Sequence, residues 1–281
     1  MQIGLLHPGA MGAAVGACLT QSGHTVYWLS PGRSDQTRAR AGRAKLTPCQ
    51  TLAEIIGGVE LILSICPPDA ATAVADQVCK SGFQGLFLEA NAISPTKLAD
   101  IQRLLEAHQI QLIDGSVIGG PVWPEDPNPA RTTLHLSGEF APTIETLLID
   151  SSLRTNVVSE TLGDASALKM VFAAFSKGSA ALSAEILNVA EQYGVRDELA
   201  EAIGPHQNER WLQSMTNTSS KAWRFIGEMH EIADTFKAVG ATPGFHQAAA
   251  DVYQRLAAHK DWDQAPSPQA LLSSLSTKTS N

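Results

Sequence analysis

Short apolar runs and longer amphipathic stretches alternate along the chain up to about residue 160. The runs MQIGLL (1–6), HTVYWLS (24–30), VELILSIC (59–66), GLFLEAN (85–91) and IQLIDGSV (110–117) each predict a strand. Helical patterns separate most of them, the layout of βαβ units and a mainly parallel sheet with helices on both faces. RTTLHLSG (131–138) and RTNVVS (154–159) predict two further strands, with a short helix over 141–149 between them. From Gly163 the pattern changes. Residues 164–195 hold no proline, are rich in Ala and Leu, and reach Gly194 as a stop signal, so they predict one long helix. Its middle is apolar almost all round, which implies burial on several sides. Further helices are expected around 196–214, 219–240 and 244–258. The Ser- and Pro-rich tail from 264 is expected to be poorly ordered toward its end. The expectation is an α/β fold with a Rossmann-like, doubly wound parallel sheet over 1–161. An all-helical domain over 162–281, built on the long helix, follows it.

Composition adds exclusions. The 281 residues are 44% hydrophobic and 17% charged, which fits a globular protein with ample core material. A net charge of −8 with no basic stripe argues against a nucleic-acid partner. No run reaches the roughly 18 apolar residues of a membrane span, and Met1 leads straight into a strand pattern rather than a leader. Cys18, Cys49, Cys66 and Cys79 have neither metal-ligand nor small-domain disulfide spacing, so buried free thiols in a reducing cytoplasm are expected.

The first turn carries the chemistry. IGLLHPGAMG (3–12) follows a strand and opens a helix, the context of a dinucleotide-binding fingerprint. Gly9 and Gly12 hold the second and third glycine positions, for close approach to a pyrophosphate and close packing of helix on strand. His7 replaces the first glycine, so His7-Pro8 must make the turn another way, helped by the fixed φ of proline. His7 is either a donor to the cofactor or a solvent-facing turn residue. Pro8, Ala10 and Met11 complete the loop. At the end of the second strand an NAD enzyme usually has a carboxylate for the ribose 2′-hydroxyl. Here Ser30 stands there, followed by Arg33 and Ser34, with Arg38 as a further cation. Serine and arginine suit a 2′-phosphate, so NADP is the expected cofactor. Cys66, Pro67 and Pro68 end the next strand, at the sheet edge where such folds bind ligands.

Four stretches together resemble the β-hydroxyacid dehydrogenase family, the group of 6-phosphogluconate and 3-hydroxyisobutyrate dehydrogenases. IGLLHPGAMG is similar to the family's opening loop. LEANAISP (88–95) resembles its second segment, with Asn91 at a common serine position. DGSVIGGP (114–121) resembles its substrate loop, and GDASALKMVFAAFSKG (163–178) its lysine-bearing helix. KAWRFIGEMHEIADTF (221–236) is similar to an uncharacterised branch with a phosphogluconate dehydrogenase-like C-terminal domain. The resemblance implies a cofactor role for Asn91 and for the Pro67-Pro68 loop, and makes Lys169 the catalytic lysine. It also departs from the family, with Ile118 in place of the substrate-loop serine and Phe172 and Ala173 in place of asparagines. A more apolar pocket is therefore expected, lined by Ser116, Ile118, Gly119, Gly120, Trp123, Phe172 and Ser176, with Lys177 as an alternative donor. No metal is expected.

Hydride transfer to a carbonyl leaves charge on oxygen, and a lysine on a rigid helix can protonate it if its pKa is lowered by a partly apolar site. The sequence thus points to an NADP-dependent oxidoreductase of a small hydroxy or oxo acid, assembled as a homodimer through the long helix. The alternatives are an imine reductase-like enzyme and a catalytically silent NADP-binding sensor or scaffold.

Overall fold

The computed structural model describes residues 1–127, 131–259 and 266–276. It contains two compact units, Met1–Lys169 and Met170–Asn281, which divide inside the long helix.

The first unit is an eight-stranded sheet flanked by helices. Its strands are β1 (Gln2–Leu5), β2 (Thr25–Leu29), β3 (Thr47–Cys49), β4 (Leu61–Ser64), β5 (Leu86–Glu89), β6 (Gln111–Ile118), β7 (Thr133–Ser137) and β8 (Arg154–Ser159). They lie in the order β3-β2-β1-β4-β5-β6-β7-β8. The first six are parallel and follow the doubly wound order of dinucleotide-binding sheets. β7 runs antiparallel to β6, and β8 parallel to β7. All seven strands expected from the sequence are present. β3 is additional: three residues with Pro48 at the centre, a short edge strand that proline can join.

Alternation in the strands sends side chains to two separate cores. Ile3, Leu5, Leu63, Leu88 and Ile113 pack with α1 (Ala10–Gln21), α2 (Asp35–Arg43) and, further along the chain, Ala141–Leu147. On the opposite face Ile62, Phe87 and Leu112 pack with Leu52–Ile56, Ala71–Lys80 and Pro95–Glu106. Small residues let α1 lie close to the sheet: a Cβ on Gly16 would stand 3.0 Å from Leu46 and 3.2 Å from Leu5.

The second unit is helical. The long helix is continuous from Asp164 to Tyr193, with a single π turn over Ala174–Gly178. Four side-chain contacts gather at that turn. The Tyr253 hydroxyl donates to the Lys177 carbonyl at 2.7 Å, and the Lys177 ammonium pairs with Glu228. That ammonium also sits 4.6 Å from the Phe225 ring centroid, and His246 closes against Gly178. By length and composition the helix could cross a membrane, as the core helix of a soluble protein also can. Lys169, Lys177, Glu185 and Asn188 along it have polar partners, and its neighbours pack on Ala180, Ala184 and Leu187.

One expectation needs correction here. The single helix foreseen over 196–214 is two, Arg196–Ile203 and Pro205–Ser219, broken where Gly204 takes φ +81° and Pro205 starts afresh. The tail also forms a helix, Pro268–Ser276, with Leu271, Leu272 and Leu275 buried and Ser276 bonded to Asn188. Residues 277–281, where disorder was expected, lie outside the described residues. Ala222–Ala238 and Gly244–Leu256 match the remaining two expected helices to within a few residues.

Candidate active site

The missing first glycine is replaced by a three-residue turn. The Gly9 N–H donates to the His7 carbonyl at 2.8 Å, with Pro8 at the centre of the closed ring, a role its fixed φ suits. Gly9 then caps α1, whose first hydrogen bond runs from the Ala13 N–H to the Gly9 carbonyl at 2.9 Å. The amides of Ala10, Met11 and Gly12 therefore begin the helix without intrahelical acceptors, at its positive end. The two glycines serve different ends. A Cβ on Gly12 would stand 2.5 Å from the His7 carbonyl oxygen, whereas one on Gly9 would meet nothing within 4 Å. Gly12 is demanded by the fold; Gly9 leaves open space in front of the helix start.

β1 and β4 are neighbours in the sheet while their connections leave in opposite directions, so the crevice between their carboxyl ends is the topological switch point. The residues fit a nucleotide there: a free helix start, open space over Gly9, and a neutral imidazole. Burial, helped by the nearby Arg33 charge, lowers the His7 pKa to about 4, and its Nδ1 is buried with no hydrogen-bond partner among the described residues. Arg33 folds over the ends of β1 and β2, donating from Nη2 to the Leu6 carbonyl at 3.0 Å and from Nε to that of Leu29 at 3.4 Å.

The neighbouring expectations divide. Ser30 is buried and its hydroxyl donates to the Cys49 carbonyl at 3.1 Å, tying β2 to β3. Ser34 is exposed and caps α2, its Oγ accepting from the Thr37 N–H at 3.3 Å. Arg38 is exposed and 3.9 Å from Asp35. Cys66 stays a thiol, pushed up to about 12 chiefly by burial. Pro67 and Pro68 lead into a single tight turn at the mouth of β4. Asn91 is 3% exposed, and both ends of its carboxamide make bonds inside the protein. Oδ1 accepts from the Cys66 N–H and Nδ2 donates to Ser64 Oγ at 3.0 Å. The serine-like position is a clamp on the β4 loop.

At the end of β6 the Lys169 ammonium donates to the Val117 carbonyl at 2.7 Å. The helix carrying it is pinned by Asp114. Asp114 Oδ2 accepts from Gly163 N at 3.1 Å and Ser166 N at 2.9 Å, and Oδ1 from Ser166 Oγ at 2.6 Å. Ser116 lies one alternation further along the same strand face. It is fully buried, and its Oγ has no hydrogen-bond partner among the described residues. His135 is the strand partner of Ser116, and its pKa is lowered by burial and then by the Lys169 charge. Ile118 ends β6 half-buried. Gly119 takes φ +129°, and a Cβ there would collide with Thr132, whose hydroxyl donates to the Gly120 carbonyl at 2.6 Å. The pressure on Gly119 thus comes from Thr132 beneath it.

Trp123 does not belong to this cluster. It is buried on the α1–α2 side of the sheet, its ring 3.8 Å from the Arg43 guanidinium, beside a cavity of about 300 Å³ shared with Ala10, Arg40 and Pro121. Phe172 and Ser176 lie in the second unit. Phe172 is 43% exposed, and the Ser176 hydroxyl donates to the Phe172 carbonyl at 3.0 Å. The Lys177 ammonium is paired with Glu228. No group of metal-ligating side chains occurs among the described residues.

Sequence reasoning passed over Glu89 and Asp114, both fully buried on adjacent strands. The signal was an acid inside an otherwise apolar strand, in GLFLEAN and in IQLIDGSV, which cannot be buried without partners or a proton.

Residues 2–126 match the NAD binding domain of 6-phosphogluconate dehydrogenase, and residues 190–256 match a domain of unknown function, DUF1932. An uncharacterised 28.5 kDa protein of Methanothermus fervidus is 23% identical over 181 residues, 64% of this chain and 68% of its own. The structure of Mycobacterium tuberculosis 3-hydroxyisobutyrate dehydrogenase is 20% identical. It covers 98% of this chain and 99% of its own, with a TM-score of 0.71. The imine reductase of Streptomyces aurantiacus is 17% identical, covers 99% of this chain and 100% of its own, and has a TM-score of 0.55. At these identities the structural likeness is one of fold. The chain thus carries, in order, a match to the NAD binding domain of 6-phosphogluconate dehydrogenase and a match to DUF1932, on a fold similar to that of 3-hydroxyisobutyrate dehydrogenase.

Proposed function

We propose that the protein is an NADP-dependent oxidoreductase acting on a small hydroxy or oxo acid or a related carbonyl compound, with Lys169 as its proton donor. The observation that carries the reading is the Lys169 ammonium at 2.7 Å from the Val117 carbonyl, beside the Gly119-Gly120 turn at the carboxyl end of the sheet. The nicotinamide cofactor would supply the hydride. The α1 start, with Gly9 and the amides after it, would hold its pyrophosphate. Arg33 spends two N–H groups on strand carbonyls and has others to offer a 2′-phosphate; no carboxylate stands at the end of β2 to repel it. Asp114 fixes the helix start three residues before Lys169, so the ammonium is held rather than sampled. Lys169 gives a proton to the substrate oxygen in reduction and takes it back in oxidation.

The structural likeness to imine reductases, together with Phe172 where the family has a polar residue, supports imine reduction as the second reading. An assay of NADPH oxidation against keto acids, aldehydes and imines tests both. Turnover of a keto acid or aldehyde supports the first, turnover of imines alone the second. Tight nucleotide binding with no turnover at all leaves a silent NADP-binding protein.

Exposed apolar side chains recur along the long helix: Val171 51%, Phe175 73%, Leu182 55%, Val189 46% and Tyr193 80%. The occupant that suits such a surface is a second copy of the chain, which makes the protein a homodimer. Four free cysteines fit a reducing cytoplasm.

A further inference from the structure

The crevice wall that follows β4 is held by buried groups that hydride transfer does not use. Asn91 spans from β5 to the mouth of β4 through its bonds to the Cys66 N–H and Ser64 Oγ. Its own backbone N–H donates to Glu89 Oε1 at 3.0 Å. Glu89 is 0% exposed, and its Oε2 has no hydrogen-bond partner among the described residues. Its neighbour in strand register is Asp114. Two adjacent carboxyl groups in a dry interior resist ionising together. Asp114 accepts from Ser137, Gly163 and Ser166 through both oxygens, while Glu89 takes its weaker help from Asn91 and Ser64 and keeps one oxygen without a partner among the described residues. Glu89 is therefore the one that keeps its proton. Burial, and after it the Asp114 charge, raises its pKa to about 8.

We infer that Glu89 and Asn91 are positioning residues for the cofactor: neutral Glu89 orients Asn91, and Asn91 sets the main chain at Cys66–Pro68 against the His7–Gly12 turn. This rests on the reading of that crevice as the nicotinamide nucleotide site. Ionising Glu89 puts a second negative charge beside Asp114 and disturbs the residue that Asn91 depends on. Two other titratable groups near the clamp are shifted away from that range. The Cys66 thiol is pushed up to about 12 and the His7 imidazole down to about 4. Lys97 donates to the Pro68 carbonyl at 3.4 Å, and Asp69 lies on the same short turn. Cofactor affinity is therefore full while Glu89 is protonated and falls as pH rises through its pKa.

The test is nucleotide binding, followed by reduced-nicotinamide fluorescence with NADH and NADPH, on the full chain and on Glu89→Gln and Asn91→Ala. The parent should lose up to about tenfold in affinity between about pH 7 and about pH 9, the amount a single proton can impose. Glu89→Gln keeps the neutral hydrogen-bonding shape; it should bind like the parent near neutral pH and stay within about twofold across the range. Asn91→Ala should bind several-fold more weakly at every pH. A Glu89→Gln profile that follows the parent's alkaline loss overturns the inference, as does a parent with no alkaline loss or an Asn91→Ala that binds normally. Should Asn91→Ala fail to fold, the Glu89→Gln profile decides alone. A parent that binds neither nucleotide at any pH instead overturns the cofactor reading.

Discussion

The Lys169 ammonium lies 2.7 Å from the Val117 carbonyl oxygen, so a helix side chain is tethered to the last turn-ward residues of a central strand. A backbone acceptor holds the amine without neutralising it. Lys169→Met keeps length and apolar character but removes the ammonium. Turnover should drop by roughly 10²–10⁴-fold, the usual contribution of a general acid, while NADPH affinity changes little. Near-parental turnover in this variant would remove Lys169 from the mechanism.

Arg33 bridges the ends of β1 and β2 and stands beside His7. Arg33→Ala should weaken NADPH binding by more than about 1.5 kcal/mol, the lower range for a charged hydrogen bond, and leave NADH binding nearly untouched. Calorimetry with both nucleotides checks this. Equal affinity of the parent for the two would defeat the NADP assignment.

The two glycines of the first turn should separate folding from binding. Gly9→Ala has room for its methyl and should fold normally but bind nucleotide poorly, because the methyl occupies the space in front of the helix start. Gly12→Ala forces a methyl to within 2.5 Å of a carbonyl oxygen, and should also cost about 1–3 kcal/mol in stability by urea denaturation.

Glu89 makes stability itself depend on pH. Its carboxyl titrates near 4.5 when unfolded and about 8 when folded, so the folded state binds the extra proton between those values. Its contribution is complete below the unfolded value and is lost as pH rises through the folded one. Denaturant midpoints for the parent should fall across that interval, and those of Glu89→Gln should stay flatter and higher at the alkaline end. Superimposable profiles would mean that Glu89 is ionised in the native protein.

Leu182→Glu places a charge among the exposed apolar side chains of the long helix. Sedimentation of the parent should give a dimer at micromolar concentration, and of the variant a monomer. A parent that sediments as a monomer contradicts the proposed assembly.

Much of this was legible in the sequence because period and punctuation carry it. Alternation in runs such as HTVYWLS and the proline-free stretch after Gly163 placed seven strands and the long helix. The break at Gly204-Pro205 was equally legible and should have been read, since glycine past one helix and proline at the start of the next are direct signals. What escaped depends on partners distant in the chain. That Asn91 bonds the Cys66 N–H and Ser64 Oγ depends on residues more than twenty positions earlier. The π turn rests on Tyr253, some eighty positions away. Thr132, at the far end of the same β6–β7 connection, explains Gly119.

That π turn has a geometric result for assembly. One extra residue in a helix of 3.6 residues per turn rotates everything after it by about 100° relative to an uninterrupted helix. Val171 and Phe175 precede Gly178, while Leu182, Val189 and Tyr193 follow it. The apolar surface is therefore a stepped seam, two short runs offset around the axis. A straight helix from another subunit could follow either run but not both. Cover for the whole length requires a partner that bends with the step, or two separate elements meeting at it.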